Sequence, residues 1–245
     1  MALAKGKGSS NESNWISFSD IMTGLMVIFM FIAISYIVEV QKKQKERDLI
    51  FKEFKATKEQ LYAELKKEFK DDFKEWEVEL DKDLSIKFTN PEVLFESGQT
   101  NIRPYFAQIL SKFLPRYFSI LMQNEYKNKI AEIRIEGHTD TVVALKFDVD
   151  PYIGNIMLSQ LRSAQVLKYF RNMDYYKNLS PKDEQQLQFW ITANGLSYGR
   201  TLDDNKQMTA LSGKPTNNNY SRRVEFRIIT TSEILIEQVL KEISK

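Results

Sequence analysis

Residues Trp15–Val40 read WISFSDIMTGLMVIFMFIAISYIVEV, and this stretch decides the fold of the chain. Between Ile21 and Val38 it holds eighteen residues without a charge. At about 1.5 Å of rise per residue they span roughly 27 Å, close to the hydrocarbon thickness of a bilayer. The stretch therefore predicts a transmembrane helix over residues 15–40. A cleaved signal sequence is the alternative, but its apolar core would be shorter and would end at a small-residue cleavage site, whereas this run continues into Glu39.

One acid, Asp20, lies near the start of this helix. An ionised carboxylate in lipid is costly, so acids in transmembrane helices usually face protein or water and mark an ion path. At helical spacing, Asp20 shares a face with residues that are mostly small or polar, namely Ser17, Thr23, Gly24 and Val27. We therefore expect Asp20 to face another protein helix and, with Thr23, to line an ion pathway. The alternative is a hydrated position at headgroup level, with Ser17 or Ser19 as the helix cap.

The start of the chain resembles the B subunits of ion-driven stator units, the MotB-like proteins, at Trp15, Asp20, Met22, Thr23, Leu25 and Met26. The resemblance implies that Asp20 carries a proton, or sodium, through a membrane motor built with a multi-helix MotA-like A subunit. It also implies that two copies of this chain form a homodimer inside a larger ring. No cofactor is expected other than the translocated ion.

Composition limits the classes of function. The 245 residues can hold a membrane anchor and one domain of about 150 residues. A net charge of +2 gives no support to direct nucleic-acid binding, and the absence of cysteine excludes disulfides and thiolate metal sites. The single histidine, His138, excludes sites that need two imidazoles, and the usual nucleotide-binding and acyl-transfer loops are missing. The sequence therefore predicts neither an enzyme nor a metal site.

Two segments flank the apolar stretch. Residues 1–14, rich in Gly, Ser and Lys, predict a flexible cytoplasmic tail. Residues 41–83, which we call the stalk segment, hold 25 charged residues of 43 and predict a long helix. Its apolar residues recur mostly four apart, at Phe54, Leu61, Leu65, Phe69, Phe73, Trp76 and Leu80. The stalk segment is either a solvated spacer or a parallel dimer in which a second copy covers this stripe.

Residues 84–245 have the composition of a globular domain. The pattern predicts strands over residues 84–90, 131–136, 189–193 and 223–230 and helices over residues 103–122, 158–170 and 232–243. Strands that alternate with helices indicate a mixed sheet covered by helices, an α/β sandwich.

Three motifs in this domain look like those of OmpA-like peptidoglycan-binding domains. They are IRIEGHTDT at residues 133–141, NIMLSQLRSAQVLKYF at 155–170 and SRRVEFRI at 221–228. The resemblance covers roughly residues 85–230. It implies that Asp140 and Arg162 bind the free amine and carboxylate of diaminopimelate in the stem peptide. It further implies that Asn155 and Leu158 line the groove and that Arg222, which with Arg223 precedes the last strand, takes part in binding.

The chemistry of these residues agrees with such a ligand. A zwitterionic amino-acid end needs a carboxylate and a guanidinium, and Arg pairs with carboxylates in a bidentate way that Lys does not match. The alternative is that Asp140 and Arg162 form a structural salt bridge. For His138, a packed and hydrogen-bonded side chain is a more common role than catalysis.

One departure from the family pattern concerns the loop after Asp140. Fourteen residues, TVVALKFDVDPYIG, separate Asp140 from Asn155, more than is usual. We expect a remodelled rim in which Tyr152 reaches the ligand. Asp148 and Asp150 in this loop suggest calcium, although two loop acids are more often simply solvated.

The orientation in the membrane follows from two arguments that disagree. Two Lys precede the helix and seven Lys or Arg follow it within residues 39–58, which by the positive-inside rule places the C-terminus in the cytoplasm. A cell-wall ligand instead requires the C-terminal domain outside the inner membrane. We expect a single-pass inner-membrane protein with a cytoplasmic N-terminus and a periplasmic C-terminal domain.

The layout also bears on what the motor drives. Flagellar stators usually have a plug and a longer linker, whereas here a charged helix leads directly into the domain. This shorter layout is similar to the B subunits of Zorya anti-phage defence systems, which implies a stator that senses phage injection and recruits a cytoplasmic effector. A flagellar stator and a passive envelope tether are the alternatives. An enzyme that acts on peptidoglycan lacks a paired-carboxylate or nucleophile motif.

Overall fold

A computed structural model describes residues 10–89, 91–96, 98–142, 147 and 149–243. The chain divides into two compact units, residues 1–51 and 52–245. Helix α1, Ser10–Glu68, contributes to both units, and its span Phe18–Glu68 is long and apolar enough to cross a membrane. The most apolar part of this span is not buried by any described residue. The predicted apolar helix is therefore present.

The start of α1 differs from the expectation at the N-terminus. The helix begins at Ser10, so the last residues of the expected tail are helical, and residues 1–9 lie outside the described residues. Ser17 and Ser19 are interior positions of this helix. Neither residue is therefore an N-cap, which corrects the capping role considered for them.

The second unit consists of the last part of α1 and the helices and strands that follow it. Its helices are α2 (Lys70–Glu75), α3 (Pro91–Leu94), α4 (Pro104–Leu121), α5 (Asn124–Lys127), α6 (Pro151–Asn172), α7 (Asp174–Lys177), α8 (Pro181–Trp190), α9 (Thr209–Ser212), α10 (Asn218–Ser221) and α11 (Thr231–Ile243). Its strands are β1 (Val78–Leu80), β2 (Ser85–Phe88), β3 (Ile130–His138), β4 (Ile191–Gly195) and β5 (Arg223–Thr230).

The five strands form one mixed sheet in the order β1-β2-β5-β3-β4. The pairs β1/β2, β2/β5 and β5/β3 are antiparallel, and β3/β4 is parallel. The parallel pair requires a crossover, and α6, α7 and α8 supply it. The α/β class with a mixed sheet is therefore confirmed.

The start of α6 is encoded by the dipeptide Asp150-Pro151. Asp150 Oδ1 accepts hydrogen bonds from the backbone N–H groups of Tyr152 (2.9 Å) and Ile153 (3.2 Å), and Pro151 occupies the first turn. The helix thus begins seven residues before the predicted Leu158. Asp150 has a capping role, and Asp148, its companion in the calcium alternative, lies outside the described residues.

Aromatic rings dominate the core between the sheet and α4. The ring of Phe113 lies 5.3 Å from that of Phe226 on β5 and 5.2 Å from that of Phe88 on β2, in both cases edge to face. Such pairs add to the gain from burial because the edge of one ring is attracted to the face of the other. The core thus joins α4 to the two central antiparallel strands.

The apolar stripe of the stalk segment packs into this same core. Leu61 and Leu65 of α1, together with Phe69 and Trp76, are buried among domain residues. Arg116 of α4 completes the attachment by donating to the Glu68 side chain at 2.7 Å and to that of Asp72 at 2.8 Å. These buried residues are covered within one chain, so they do not need a second copy to cover them. β1 also falls within residues 41–83, where a helix was expected.

Candidate functional site

Four segments of the second unit meet at one end of the sheet, where β3 and β4 end and α6 and β5 begin. The backbone N–H of Thr139 donates to the carbonyl of Ser197 at 3.0 Å, joining the segments that follow β3 and β4. The N–H of Ser197 in turn donates to Ser159 Oγ of α6 at 3.1 Å. The candidate site residues are carried by this connected end.

Two glycines let α6 lie directly on the strands. A Cβ atom added at Gly137 of β3 would lie 2.3 Å from the carbonyl oxygen of Ser159, and one added at Gly195 of β4 would lie 2.6 Å from that of Ile156. Both contacts are with backbone atoms, so a side chain at either position would push the helix away. This close approach holds the first turns of α6 beside the end of β3.

Asp140, two residues after β3, is buried and paired with Arg222. Its Oδ2 accepts from Arg222 Nη1 at 2.5 Å, and its Oδ1 accepts from the N–H of Val142 at 3.0 Å. Arg222 also donates from Nη2 to Asn219 Oδ1 at 2.7 Å. Its side chain is one-third exposed, whereas that of Asp140 is only 6% exposed. Arg222 therefore covers the carboxylate from the solvent side.

Arg162 of α6 is buried nearby and is held by a different loop. Its Nε donates to the carbonyl of Gln99 at 2.9 Å and its Nη2 to that of Glu96 at 3.2 Å, while its guanidinium lies 5.1 Å from the ring centroid of Phe95. Burial lowers the pKa of Arg162 to about 10, the charge of Asp140 opposes this shift, and that of Arg222 adds to it. Among the described ion pairs, Asp140 is joined to Arg222 and not to Arg162. The structure therefore does not contain the structural salt bridge considered for Asp140 and Arg162.

Asn155 and Leu158 support the same region from α6. Asn155 is buried, and its Nδ2 donates to the carbonyls of Val142 (3.0 Å) and Pro151 (3.2 Å). This amide fixes the segment after Asp140 against the first turn of α6. Leu158 is buried one turn before Arg162. The structure thus brings Asp140, Arg222 and Arg162 close enough to interact electrostatically, with Asn155 beneath the loop.

Tyr152 is exposed and lies against the segment after β4. Its ring packs edge to face on Tyr198 at 5.2 Å, and its carbonyl accepts from Ser197 Oγ at 3.0 Å. No hydrogen bond between described residues joins the Tyr152 side chain to Asp140, Arg162 or Arg222. Tyr152 is therefore a neighbour of the charged site but not a member of its hydrogen-bond network.

The other predicted site residues lie on α1 in the first unit. Asp20 is exposed, and Thr23 Oγ1 donates back to the carbonyl of Ser19 at 2.8 Å. A Cβ atom added at Gly24 would meet no described atom within 4 Å. The side chain of Ser17 lies outside the described side chains. Every described side chain from residue 18 to residue 39 is exposed, and Asp20 shares this exposure with the apolar residues around it.

Sequence reasoning missed a buried polar cluster on the opposite face of the sheet. Glu136 and His138 of β3 and Glu225 of β5 are each less than one-tenth exposed. Burial, together with a smaller effect of the charge of Arg223, lowers the pKa of His138 to about 3. The available signal was the alternation of polar residues along two strands, in Glu132, Arg134, Glu136 and His138 and in Arg223, Glu225 and Arg227.

Several proteins of known structure are similar to this chain. The cell wall anchor of the T6SS from Pseudomonas aeruginosa is 20% identical, with a TM-score of 0.43, over 68% of this chain and 96% of the anchor. The periplasmic domain of Helicobacter pylori MotB is 18% identical, with a TM-score of 0.40, over 64% of this chain and 84% of that domain. No protein-family model matches the chain.

A curated relative matches over almost the full length. The Zorya protein ZorB from Escherichia coli (strain Crooks) is 34% identical over 238 residues, which are 96% of this chain and 96% of ZorB. The match takes in both the apolar helix and the domain that carries the charged site, as the resemblance to Zorya B subunits predicted. This chain therefore belongs to the ZorB family of Zorya proteins.

Proposed function

We propose that this chain is the peptidoglycan-anchored B subunit of an ion-driven, inner-membrane stator in Zorya-type anti-phage defence. The observation that carries the proposal is the 34% identity with ZorB over 96% of both chains. That extent matters because the proposed function needs a membrane helix and a wall-binding domain in one polypeptide. A MotA-like A subunit is the expected membrane partner.

In the membrane, α1 crosses once, with the N-terminus in the cytoplasm and the second unit in the periplasm. Asp20 takes up and releases the translocated ion, for which a proton is the simplest choice. Contact with a partner helix favours the protonated acid and access of water favours the carboxylate, so each transfer changes which contact is preferred. Each proton supplies roughly 2.3 kcal/mol per 100 mV of membrane potential. The small and polar residues on the face of Asp20, Ser17, Thr23 and Gly24, support such a partner-facing position, because small residues let another helix approach closely.

In the periplasm, the charged site binds the zwitterionic end of a stem peptide. The ammonium group binds Asp140, and the carboxylate binds the guanidinium groups of Arg162 and Arg222. One carboxylate with two guanidiniums suits a ligand that carries both charges, because each ligand charge finds an opposite one. Asn155 and Leu158 form the wall of the groove, and Tyr152 forms its rim. This anchoring holds the stator still while the A subunits move.

The test of ion transport uses the chain expressed with its co-encoded A subunit. Proton flux in proteoliposomes and protection of cells from phage are measured for the wild type, Asp20→Asn and Asp48→Asn. Asp48 is an exposed acid on the same helix, outside the apolar stretch, so it controls for the loss of one charge. We expect both activities to be lost in Asp20→Asn and kept in Asp48→Asn, while both variants still copurify with the A subunit. Full protection by Asp20→Asn would identify the chain as a passive tether instead.

A further inference from the structure

The buried cluster of Glu136, His138 and Glu225 brings two carboxylates and one imidazole together on one face of the sheet. Glu136 and Glu225 are direct cross-strand partners in the antiparallel β3/β5 pair. Two carboxylates in this arrangement repel each other, and burial increases the cost. His138 lies two residues beyond Glu136, so its side chain is on the same face of the sheet. Gly137 between them faces α6, so the cluster lies on the face away from that helix.

The polar atoms of this cluster converge on one point. His138 Nε2 lies 3.7 Å from Glu136 Oε2 and 3.6 Å from Glu225 Oε1, and the three atoms are all within 4.8 Å of one another. Neither ring nitrogen of His138 has a hydrogen-bond partner among the described residues, and neither has Glu136 Oε2. A buried polar atom without a partner costs about 1–3 kcal/mol. Two of these three atoms, His138 Nε2 and Glu136 Oε2, face the same point, which indicates a ligand that satisfies both.

We propose that His138 Nε2, Glu136 Oε2 and Glu225 Oε1 bind a divalent transition-metal ion, with Zn²⁺ as the preferred ion. Imidazole and carboxylate ligands lie about 2.0–2.2 Å from zinc, so two tetrahedral ligands are roughly 3.3 Å apart. The two separations between His138 Nε2 and the carboxylate oxygens need a contraction of a few tenths of an ångström. The two carboxylate oxygens, which lie within 4.8 Å of each other, move closer together when the ion binds. The imidazole excludes a preference for Ca²⁺ or Mg²⁺, which take oxygen ligands. This site does not depend on peptidoglycan binding or on ion transport.

Two arginines already contact the carboxylates, and their exposure separates their roles. Arg223 is buried and donates from Nε to Glu225 Oε1 at 2.5 Å. In metal sites, residues that do not bind the ion commonly donate hydrogen bonds to the ligating carboxylates. Arg223 therefore keeps its hydrogen bond to Glu225 when the ion is bound. Arg200 Nη1 lies 3.5 Å from Glu136 Oε2, and its side chain is 43% exposed. When the cation binds, the guanidinium of Arg200 therefore leaves Glu136 and moves into solvent, where its positive charge is hydrated.

The fourth position of the ion faces a pocket of about 450 Å³. The lining of this pocket includes His138, Arg223 and Glu225, the apolar side chains of Leu202, Met208 and Leu211, and the basic side chains of Lys87, Arg200, Lys206 and Arg227. A water molecule or an anion completes the tetrahedron from this side. Because the ligands come from the end of β3 and the start of β5, the ion stabilises the strand ends that precede Asp140 and follow Arg222.

The first experiment uses the full chain in detergent, purified with a tag that contains no histidine. After chelator treatment, the protein is titrated with Zn²⁺, Co²⁺, Ca²⁺ and Mg²⁺, and bound metal is counted by elemental analysis. X-ray absorption of the zinc-loaded and Co²⁺-loaded protein reports the ligands. Because His138 is the single histidine, an imidazole signal can come only from this site. We expect one ion per chain with one imidazole and carboxylate oxygens in its shell.

The second experiment compares variants in the same titration. His138→Gln and Glu136→Gln each remove one ligand and should weaken zinc binding by about 100-fold or more, since loss of outer-shell partners alone costs about 10–100-fold. Glu132→Gln is the matched control because Glu132 is on β3 and is bonded to Arg134 and Thr192. It should bind zinc as the wild type does. If a variant does not fold, the X-ray absorption spectrum of the metal-loaded wild type still tests the proposal, because it shows whether an imidazole binds the ion.

Three results would overturn the proposal. They are a wild-type chain that binds no zinc or cobalt, a bound ion without an imidazole in its shell, and zinc binding that is unchanged in folded His138→Gln. The first of these would mean that water molecules fill the cluster.

Discussion

Arg222 Nη1 donates to Asp140 Oδ2 at 2.5 Å, so the carboxylate assigned to the ligand's ammonium group already has a cationic partner. We therefore propose that binding of a zwitterionic stem peptide exchanges ion pairs. In this proposal the ligand's ammonium replaces Arg222 at Asp140, and the released guanidinium turns to the ligand's carboxylate beside Arg162. The partial exposure of Arg222 permits this movement, whereas the buried Asp140 stays in place.

Asp140→Asn should weaken binding to isolated peptidoglycan sacculi by about tenfold to a hundredfold. The change keeps the volume of the side chain but removes the charge, and charge-assisted hydrogen bonds contribute about 1.5–3 kcal/mol. The measurement is co-sedimentation of the full chain in detergent with sacculi, over a range of sacculus concentrations.

Asp183→Asn is the matched control for this measurement. Asp183 is also paired with a cation, Lys127 at 2.6 Å, but that pair lies near the start of β3, at the opposite end from Asp140. Its binding to sacculi should equal that of the wild type. Equal binding by Asp140→Asn and Asp183→Asn would remove Asp140 from the ligand site.

Arg162→Met should abolish peptidoglycan binding without loss of thermal stability. Burial lowers the pKa of Arg162 to about 10, so the fold holds this charge at a cost, and an apolar side chain of similar length removes that cost. The carbonyls of Glu96 and Gln99 that lose their donor belong to exposed residues and can bind water instead. Thermal unfolding followed by tryptophan fluorescence and binding to sacculi should be measured on the same preparation. A large drop in the unfolding temperature would show that Arg162 has a structural role.

The elements that could be predicted from the sequence are those whose signals are local. Pro104 marks the start of α4. The pattern of apolar and polar residues along the chain predicts β2, β3 and β5 close to their observed bounds. The motif positions Asp140, Asn155 and Arg162 meet at one end of the sheet because a β-α-β crossover brings the end of a strand and the start of its helix together. The pairing of Asp140 with Arg222 could not be predicted in this way, because the two residues are 82 positions apart and meet only through the β3/β5 register.

Two expectations that the structure corrects, the cover of the stalk-segment stripe and the start of β4, failed for the same physical reason. Helical spacing of Leu61, Leu65 and Phe69 shows that a stripe is buried, but it does not show whether the cover comes from a second copy or from the chain itself. Residues 189 and 190 have the composition of a strand, yet they complete α8, and β4 begins only at Ile191. In both places, tertiary packing decided between alternatives that a local pattern leaves open.

Gly137→Ala should lower the stability of the second unit. The added methyl group would lie 2.3 Å from the Ser159 carbonyl oxygen, so α6 must move away from β3. Overpacking of this kind costs about 1–3 kcal/mol, and each kcal/mol lowers the unfolding temperature by about 2–4 °C in a domain of this size. Gly24→Ala, which meets no described atom, is the control and should unfold as the wild type does. An unchanged unfolding temperature for Gly137→Ala would contradict the close packing of α6 on β3.

Leu65→Ala distinguishes a stripe covered by the domain from a stripe covered by a second copy of the chain. Leu65 is fully buried in the domain core, and removing such a side chain costs about 2–5 kcal/mol. The loss should therefore be seen in the unfolding of the full chain in detergent, and it should not change with protein concentration. Leu49→Ala is the control because Leu49 is on the same helix and is 66% exposed. If Leu65→Ala instead weakened self-association while leaving the unfolding of the dilute chain unchanged, the stripe would be a dimer seam, because only an interface between copies depends on their concentration.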